Sequence, residues 1–110
     1  MEVRERGTCC ELPAEVDAAW AERRAALLKA IADPTRIGML AALRQAQAPV
    51  CICDFTAAFE LAQPTISHHM AKLRSAGLVA AEKRGIWVYY RLHPALAAGE
   101  LALLDSVLAR

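Results

Sequence analysis

Apolar residues in the first half of the chain recur every three to four positions, the spacing of a helix with one buried face. The first such stripe predicts a helix from about Pro13 to Ala32; its apolar positions are Val16, Trp20, Leu27 and Ile31. Asp33 then offers a side-chain cap, and Pro34 suits the first position of a helix. A second helix is therefore expected from Pro34 to about Arg44.

Two further helices are predicted in the middle of the chain. The third is short and runs from Asp54 to Phe59, with Phe55 and Phe59 one turn apart. The fourth runs from about Pro64 to Ala76 and is stopped by Gly77. Its inward face is narrow and apolar; it consists of Ile66, Met70 and Leu73. A short helix, a turn and a half-polar helix form a helix-turn-helix, whose second helix enters the major groove of DNA.

The pattern changes to alternation after Gly77, which predicts a β-hairpin. Its strands run from Leu78 to Ala81 and from Ile86 to Leu92, and residues 82–85 form the turn. A last helix follows Pro94 and carries apolar residues on more than one face: Leu101, Leu103, Leu104, Val107 and Leu108. Such an excess of apolar surface predicts a dimer contact between this helix and the first one.

Composition and charge narrow the class of protein. A chain of 110 residues is small for a self-sufficient core, and its 56% hydrophobic content excludes a disordered chain, so we expect a homodimer. No run approaches the roughly 20 apolar residues of a membrane span, and the first six residues lack the apolar run of a signal peptide. We therefore expect a cytoplasmic protein without a membrane partner. Because the net charge is only +1, DNA binding must depend on charge placed locally.

The four cysteines form two close pairs, Cys9 with Cys10 and Cys51 with Cys53. In a reducing compartment, paired cysteines are more often metal ligands or redox groups than structural disulfides. Thiolates are soft donors that prefer As(III), Cd(II), Pb(II), Zn(II) or Cu(I) to hard cations. Three thiolates suit As(III) or Sb(III), and four suit tetrahedral Cd(II) or Zn(II), so the count alone does not choose. Residues two apart diverge on a regular helix, so Cys51 and Cys53 can share an ion only at an irregular helix start.

Four spaced motifs closely resemble the arsenical-resistance repressor family, ArsR/SmtB. They are Ala32-Asp33-Pro34-Thr35-Arg36, Gln63-Pro64-Thr65-Ile66-Ser67-His68-His69, Leu73-Arg74-Ser75-Ala76-Gly77-Leu78-Val79 and Gly85-Ile86-Trp87-Val88-Tyr89-Tyr90. The segment Val50-Cys51-Ile52-Cys53-Asp54-Phe55 is similar to the thiolate metal box of that family. The resemblance implies a mainly α, dimeric winged helix-turn-helix with a β-hairpin, acting as a repressor that leaves its operator when metal binds.

This resemblance also implies a division of the chain and a set of site residues. Residues 1–12 would be a mobile arm with a cysteine pair, and residues 13–110 the winged helix-turn-helix domain with its dimerisation helices. As(III) is favoured as the inducer, with Cys9, Cys10 and Cys53 as ligands and Cys51 as a fourth ligand for divalent ions. In the family such sites often join the arm of one subunit to the third helix of the other.

Double-stranded operator DNA with an inverted repeat is the expected partner. The residues predicted to contact it lie on the fourth helix or just before it and at the hairpin tip; they are Gln63, Thr65, Ser67, His68, Lys72, Lys83 and Arg84. His69 is expected to be packed instead. Two departures from the family pattern matter. Ala62 replaces a frequent capping serine, and the second zinc site of the family is not predicted, since only His93, Glu100 and Asp105 are available for it.

The cysteines also suggest two alternatives to a metal-responsive repressor. A thiol-based redox sensor on the same fold would release DNA when the cysteines cross-link. A small thiol enzyme is disfavoured because the chain has no Cys-x-x-Cys motif and no histidine placed to activate a thiolate. We therefore predict that the protein is not an enzyme.

Overall fold

The computed structural model describes residues 17–110, and the predicted arm with Cys9 and Cys10 lies outside them. The described residues form five helices and three short strands. In chain order these are α1 (Ala18–Ile31), α2 (Pro34–Gln45), β1 (Val50–Cys51), α3 (Ile52–Phe59), α4 (Gln63–Ser75), β2 (Val79–Arg84), β3 (Trp87–Leu92) and α5 (Ala98–Leu108). All five helices and the hairpin predicted from the sequence are present.

Side-chain caps fix the first two helix starts. The Asp17 carboxylate accepts a hydrogen bond from the Trp20 backbone N–H at 2.9 Å and caps α1 at Ala18. The predicted start at about Pro13 lies outside the described residues. The cap predicted at Asp33 is confirmed, because its carboxylate accepts from the backbone N–H of Arg36 at 3.0 Å. That hydrogen bond is the main cause of the lowered pKa of Asp33.

The core lies where α4 packs against α2 and α3. The three predicted inward residues of α4, Ile66, Met70 and Leu73, are fully buried. Met39 of α2 and Phe55 of α3 are buried beside them. Helix α4, the second helix of the predicted helix-turn-helix and therefore its predicted recognition helix, is thus anchored along one whole face, and its opposite face is exposed.

A three-stranded antiparallel sheet, with the order β1, β3, β2, flanks this core. Strand β1 was not predicted; its two residues pair with β3, Val50 opposite Tyr90 and Cys51 opposite Tyr89. The start of the third helix is therefore hydrogen-bonded to the hairpin. Cys51 ends β1 and caps α3, so α3 begins at Ile52 and not at the predicted Asp54.

The hairpin turn is shorter than predicted. Strand β2 continues to Arg84, which pairs with Trp87, so Gly85 and Ile86 alone form the turn. Gly85 has a φ of +63° and Ile86 does not have a positive φ, the pattern of a type II′ turn, whose twist matches that of paired strands. Lys83 and Arg84 consequently lie on the last strand residues before the tip and not in the turn itself.

Apolar side chains remain exposed on α1 and α5. Trp20 and Leu28 of α1 are 50% and 45% exposed, and Val107 of α5 is 37% exposed, whereas Leu104 is fully buried. A two-point ion pair from the Arg44 guanidinium to the Asp105 carboxylate, at 2.7 and 3.1 Å, holds α5 against α2. Within residues 17–110, no helix has the length and apolar character needed to cross a membrane.

Candidate DNA-reading face and thiol pair

The face of α4 opposite the core carries most of the predicted DNA contacts. Gln63, Thr65, His68 and Lys72 are exposed there, whereas Ser67 is half-buried at the edge of that face. None of the ion pairs among the described residues includes these five side chains. The arrangement provides hydroxyl, amide, imidazole and ammonium groups that can hydrogen-bond to base edges or phosphates.

The first turn of α4 has no side-chain cap. Ala62 has the extended backbone of an N-cap residue (φ −65°, ψ 150°), but no side chain accepts a hydrogen bond there. The backbone N–H groups of Thr65 and Ile66 donate to the Ala62 carbonyl, at 3.0 and 3.1 Å. The consequence of the missing serine hydroxyl, inferred from sequence, is therefore visible in the geometry.

We expect Ala62→Ser to raise the free energy of unfolding by up to about 1 kcal/mol, because the hydroxyl would give the Thr65 N–H, the third residue of the helix, a side-chain acceptor beside the Ala62 carbonyl. Urea unfolding measures the change. Ala71→Ser, on the exposed middle of the same helix, is the control and should lower stability by about 0.5 kcal/mol. Equal effects of the two substitutions would contradict the assignment of Ala62 as an uncapped N-cap.

His69 is held in the interior by residues of the Ala32–Arg36 motif. Its side chain is 16% exposed, and its Nδ1 lies 3.3 Å from Arg36 Nη1 and 3.9 Å from an Asp33 carboxylate oxygen. A guanidinium can only donate, so Nδ1 accepts and the proton of the neutral ring is on Nε2. Arg36 Nε also donates to the Ala30 carbonyl at 2.6 Å. This arginine joins the end of α1 to the recognition helix, a role that its sequence position did not reveal.

The two basic residues near the hairpin tip differ in their surroundings. Arg84 Nη2 lies 3.1 Å from a Glu82 carboxylate oxygen, and its guanidinium lies 4.6 Å from the centre of the Tyr89 ring. The hydrogen bond to Glu82 raises the pKa of Arg84. Lys83 is exposed and belongs to none of the ion pairs recorded for residues 17–110. Lys83 is therefore the freer of the two cations for a phosphate.

Cys51 and Cys53 meet at the start of α3. Cys51 has extended backbone (φ −68°, ψ 144°), and this irregular start brings the two Sγ atoms to 2.7 Å. Both thiols are free; Cys51 is buried and Cys53 is exposed. Two thiolates on one tetrahedral zinc ion, each about 2.3 Å from it, would lie roughly 3.8 Å apart. The observed spacing is about 1.1 Å shorter than this, and the pair supplies two adjacent sulfur donors of the kind that a soft metal ion prefers.

A hydrogen bond to Cys51 is the first cause of the raised pKa of the Cys53 thiol, and partial burial is the second. A metal ion must therefore displace a proton from Cys53, and its affinity should increase as the pH rises toward that pKa. Residues 17–110 contain no group of three or more possible ligands.

The three side chains available for the second zinc site of the family, which is not predicted here, form other hydrogen bonds. Among the described residues, His93 Nδ1 accepts from the Ala95 N–H and the Glu100 carboxylate accepts from the Ala97 N–H, each at 3.0 Å, while Asp105 binds Arg44. These contacts explain locally why the three side chains do not converge.

Comparison with known proteins identifies the chain. Residues 33–81 match the family model described as "Bacterial regulatory protein, arsR family". The chain is 40% identical over 80 residues to an arsenical resistance operon repressor of Escherichia coli, an alignment that covers 73% of this chain and 68% of that protein. The chain belongs to the arsR family of bacterial regulatory proteins.

Two further relatives of this arsR-family chain are informative. An arsenic resistance transcriptional regulator of Pseudomonas putida is 42% identical over 81 residues, covering 74% of this chain and 62% of that protein. The chain thus spans less than two thirds of this relative. The solution structure of a homodimeric winged helix-turn-helix DNA-binding domain from Mycobacterium bovis, a possible ArsR-family transcriptional regulator, superposes with a TM-score of 0.70 at 28% identity, covering 87% of this chain and 86% of that one.

These matches confirm the family and the winged helix-turn-helix fold predicted from the sequence motifs. The relatives are regulators of transcription, in agreement with the prediction that the chain is not an enzyme. The roles of the individual cysteines and of the predicted DNA contacts remain predictions.

Proposed function

We propose that this protein is a transcriptional repressor that binds its operator as a metal-free dimer and is released when it binds As(III) or Sb(III). The observation that carries the proposal is the Cys51–Cys53 thiol pair, with its Sγ atoms 2.7 Å apart, at the start of the helix that precedes the recognition helix. The names of the relatives from Escherichia coli and Pseudomonas putida, which refer to arsenical or arsenic resistance, support the choice of inducer.

The thiol pair is mechanically close to both DNA-binding elements. Only Glu60, Leu61 and Ala62 separate α3 from the recognition helix α4, and Glu60 has the left-handed φ of 54°. On the other side, Cys51 pairs with Tyr89 of β3, a strand of the β2–β3 hairpin that forms the wing of the winged helix-turn-helix. A change in the conformation of the α3 start would therefore act on the recognition helix and on the wing together.

The preference of soft ions for thiolates indicates which other residues would bind the inducer. Cys53 is the accessible member of the pair, and we propose that Cys9 and Cys10 of the arm complete a three-thiolate site with it. Cys51, which is buried, would join as the fourth ligand for Cd(II), Pb(II) or Zn(II). When bound, the metalloid supplies three bonds to sulfur that hold these segments together. By linkage, operator DNA must weaken inducer affinity by the factor by which the inducer weakens DNA affinity.

The dimer that two half-sites require would use α1 and α5. We expect the protein to sediment as a dimer at micromolar concentration, because Trp20, Leu28 and Val107 leave apolar surface uncovered on these helices. Leu28→Glu should shift the protein to a folded monomer, since a buried unpaired carboxylate costs several kcal/mol.

Trp87→Glu, at a comparably exposed apolar residue of the wing, is the matched control and should remain dimeric. A folded monomer for the unmodified protein, seen by sedimentation and by circular dichroism together, would rule out the α1/α5 interface.

Sequence-specific DNA binding can be tested on the metal-free protein. We expect the reduced, chelator-treated protein to bind an operator selected from random duplexes at least 1000-fold more tightly than scrambled DNA of the same length. A fluorescence-anisotropy titration at fixed salt gives both affinities. Equal affinities would exclude a sequence-specific repressor.

A second candidate, the thiol redox sensor, is supported by the same 2.7 Å approach of two free thiols. It predicts release by an oxidant in the absence of metal and restoration of binding by a dithiol. Release of the reduced protein by As(III) separates the two functions.

A further inference from the structure

A basic cavity of about 370 Å³ lies beside the recognition helix, between α1, α2 and α4. Three cationic side chains line it, one from each helix: Lys29, Arg36 and Lys72. The hydroxyl-bearing Ser75 of α4 also lines it, and no carboxylate does. Asp33, the closest acid by chain position to Arg36, is already occupied as the cap of α2.

The two lysine charges of this cavity are not neutralised by the fold, whereas Arg36 is close enough to the Asp33 carboxylate to lower the pKa of that acid. Neither lysine belongs to an ion pair among residues 17–110. Arg36 uses Nε for the Ala30 carbonyl and Nη1 for His69, and its Nη2 has no recorded hydrogen bond within the same residues. Three like charges at one cavity repel one another unless an anion joins them. The arrangement therefore suits an anion with several acceptor oxygens.

The position of the cavity indicates which anion it meets. At about 100° per residue, His68 and Ser75 lie at the centre of the outward face of α4, and Lys72 lies roughly 50° away toward α1. A helix with its side chains is about 10–12 Å across and the major groove is about 12 Å wide, so backbone phosphates run along both flanks of an inserted helix.

We propose that Lys29, Arg36 and Lys72 together hold a backbone phosphate of the operator. This inference rests on the proposed function, since it requires α4 to lie in the major groove. It adds α1 and α2 to the DNA interface. The interface predicted from the sequence contained only α4 and the wing. The arginine that orients His69 would thereby also contact the DNA backbone, so helix orientation and phosphate binding would share one side chain.

Lys29→Gln is the sharpest test, because Lys29 is exposed, lies outside the recognition helix and makes no recorded contact that the fold requires. We expect it to weaken binding to operator and to scrambled DNA by the same factor. The slope of log K against log salt concentration should fall in magnitude by about 0.9, the loss of one phosphate contact. Lys29→Arg should restore both quantities.

Arg110→Gln removes the same charge at the exposed end of the chain and is the matched control, expected to leave the slope unchanged. If Lys29→Gln leaves the salt slope unchanged, as Arg110→Gln does, and the unmodified protein binds its operator, the phosphate site is overturned. The proposed function would still stand. Absence of specific operator binding by the unmodified protein would instead remove the proposed function.

Inorganic phosphate distinguishes the two sources of the anion. Titrated at constant ionic strength, it should shift the NMR signals of Lys29 and Lys72 weakly, in the millimolar range, because it lacks the other DNA contacts. Saturation at micromolar phosphate, together with an unchanged DNA salt slope for Lys29→Gln, would show a free-anion site and contradict the operator contact.

Discussion

Cys53→Ser is expected to keep its operator affinity and to lose release by As(III). Serine has nearly the volume of cysteine, and the Cys53 side chain is exposed, so the fold and the DNA-reading face should be unaffected. An alcohol is a hard, protonated and therefore poor ligand for a soft ion. Since loss of an outer-shell partner alone costs 10- to 100-fold in metal affinity, loss of a ligand should cost more than about 100-fold.

The measurement is the As(III) concentration at which half of the labelled DNA is released, followed by the fall in its fluorescence anisotropy. Ala57→Ser, on the same exposed face of α3, is the control. Cys9→Ser and Cys10→Ser should behave like Cys53→Ser if the arm supplies ligands. Cys51→Ser, whose hydroxyl can still cap α3, should matter less for As(III) than for Cd(II). A full As(III) response in both Cys53→Ser and the Cys9/Cys10 double variant would overturn the proposed site.

His68→Ala is expected to weaken operator binding by about 1–3 kcal/mol, which corresponds to roughly 5- to 150-fold. The reason is that His68 lies at the centre of the exposed face of α4, whereas Ile66, Met70 and Leu73 are buried on the opposite face. Loss of a base contact should relax specificity at one base pair of the operator. Scrambled DNA does not make that contact, so its affinity for the variant should fall far less. Ser67→Ala, at the half-buried edge of the face, should follow in the same direction.

Ser106→Ala, on the exposed surface of α5, is the control for loss of a hydroxyl away from DNA. As(III) affinity should be unchanged in all three variants, because none of the substituted residues contacts the thiol pair. Unchanged operator affinity in His68→Ala and Ser67→Ala would mean that the recognition face has been misassigned.

The sequence predicted every helix because each carried a local signal. The clearest signals were the Asp33-Pro34 start and the narrow apolar face of Ile66, Met70 and Leu73. Two features of the sheet escaped it. Strand β1 has only two residues, too few for any alternation. The polar residues 82–84 resemble a turn, yet they extend the hairpin because a solvent-exposed strand end tolerates charged side chains.

Those parts of the site could be predicted whose functional groups are close together in the sequence. Cys51 and Cys53 are two residues apart, and their types alone indicated soft-metal chemistry. The link between Arg36 and His69 spans 33 positions and depends on how α2 packs on α4, so no local pattern could reveal it. The basic cavity has the same origin, since Lys29 and Lys72 meet only through the packing of α1 on α4.

The central claim is that a thiophilic metalloid, bound by thiolates, releases this protein from DNA. The direct measurement is a fluorescence-anisotropy titration of the reduced protein on its operator with As(III), Sb(III), Cd(II), Pb(II) and Zn(II). We expect As(III) and Sb(III) to release the DNA at the lowest concentrations, and we expect a dithiol competitor to restore binding. Retention of the DNA at saturating As(III) and Sb(III), with release only by an oxidant, would contradict it.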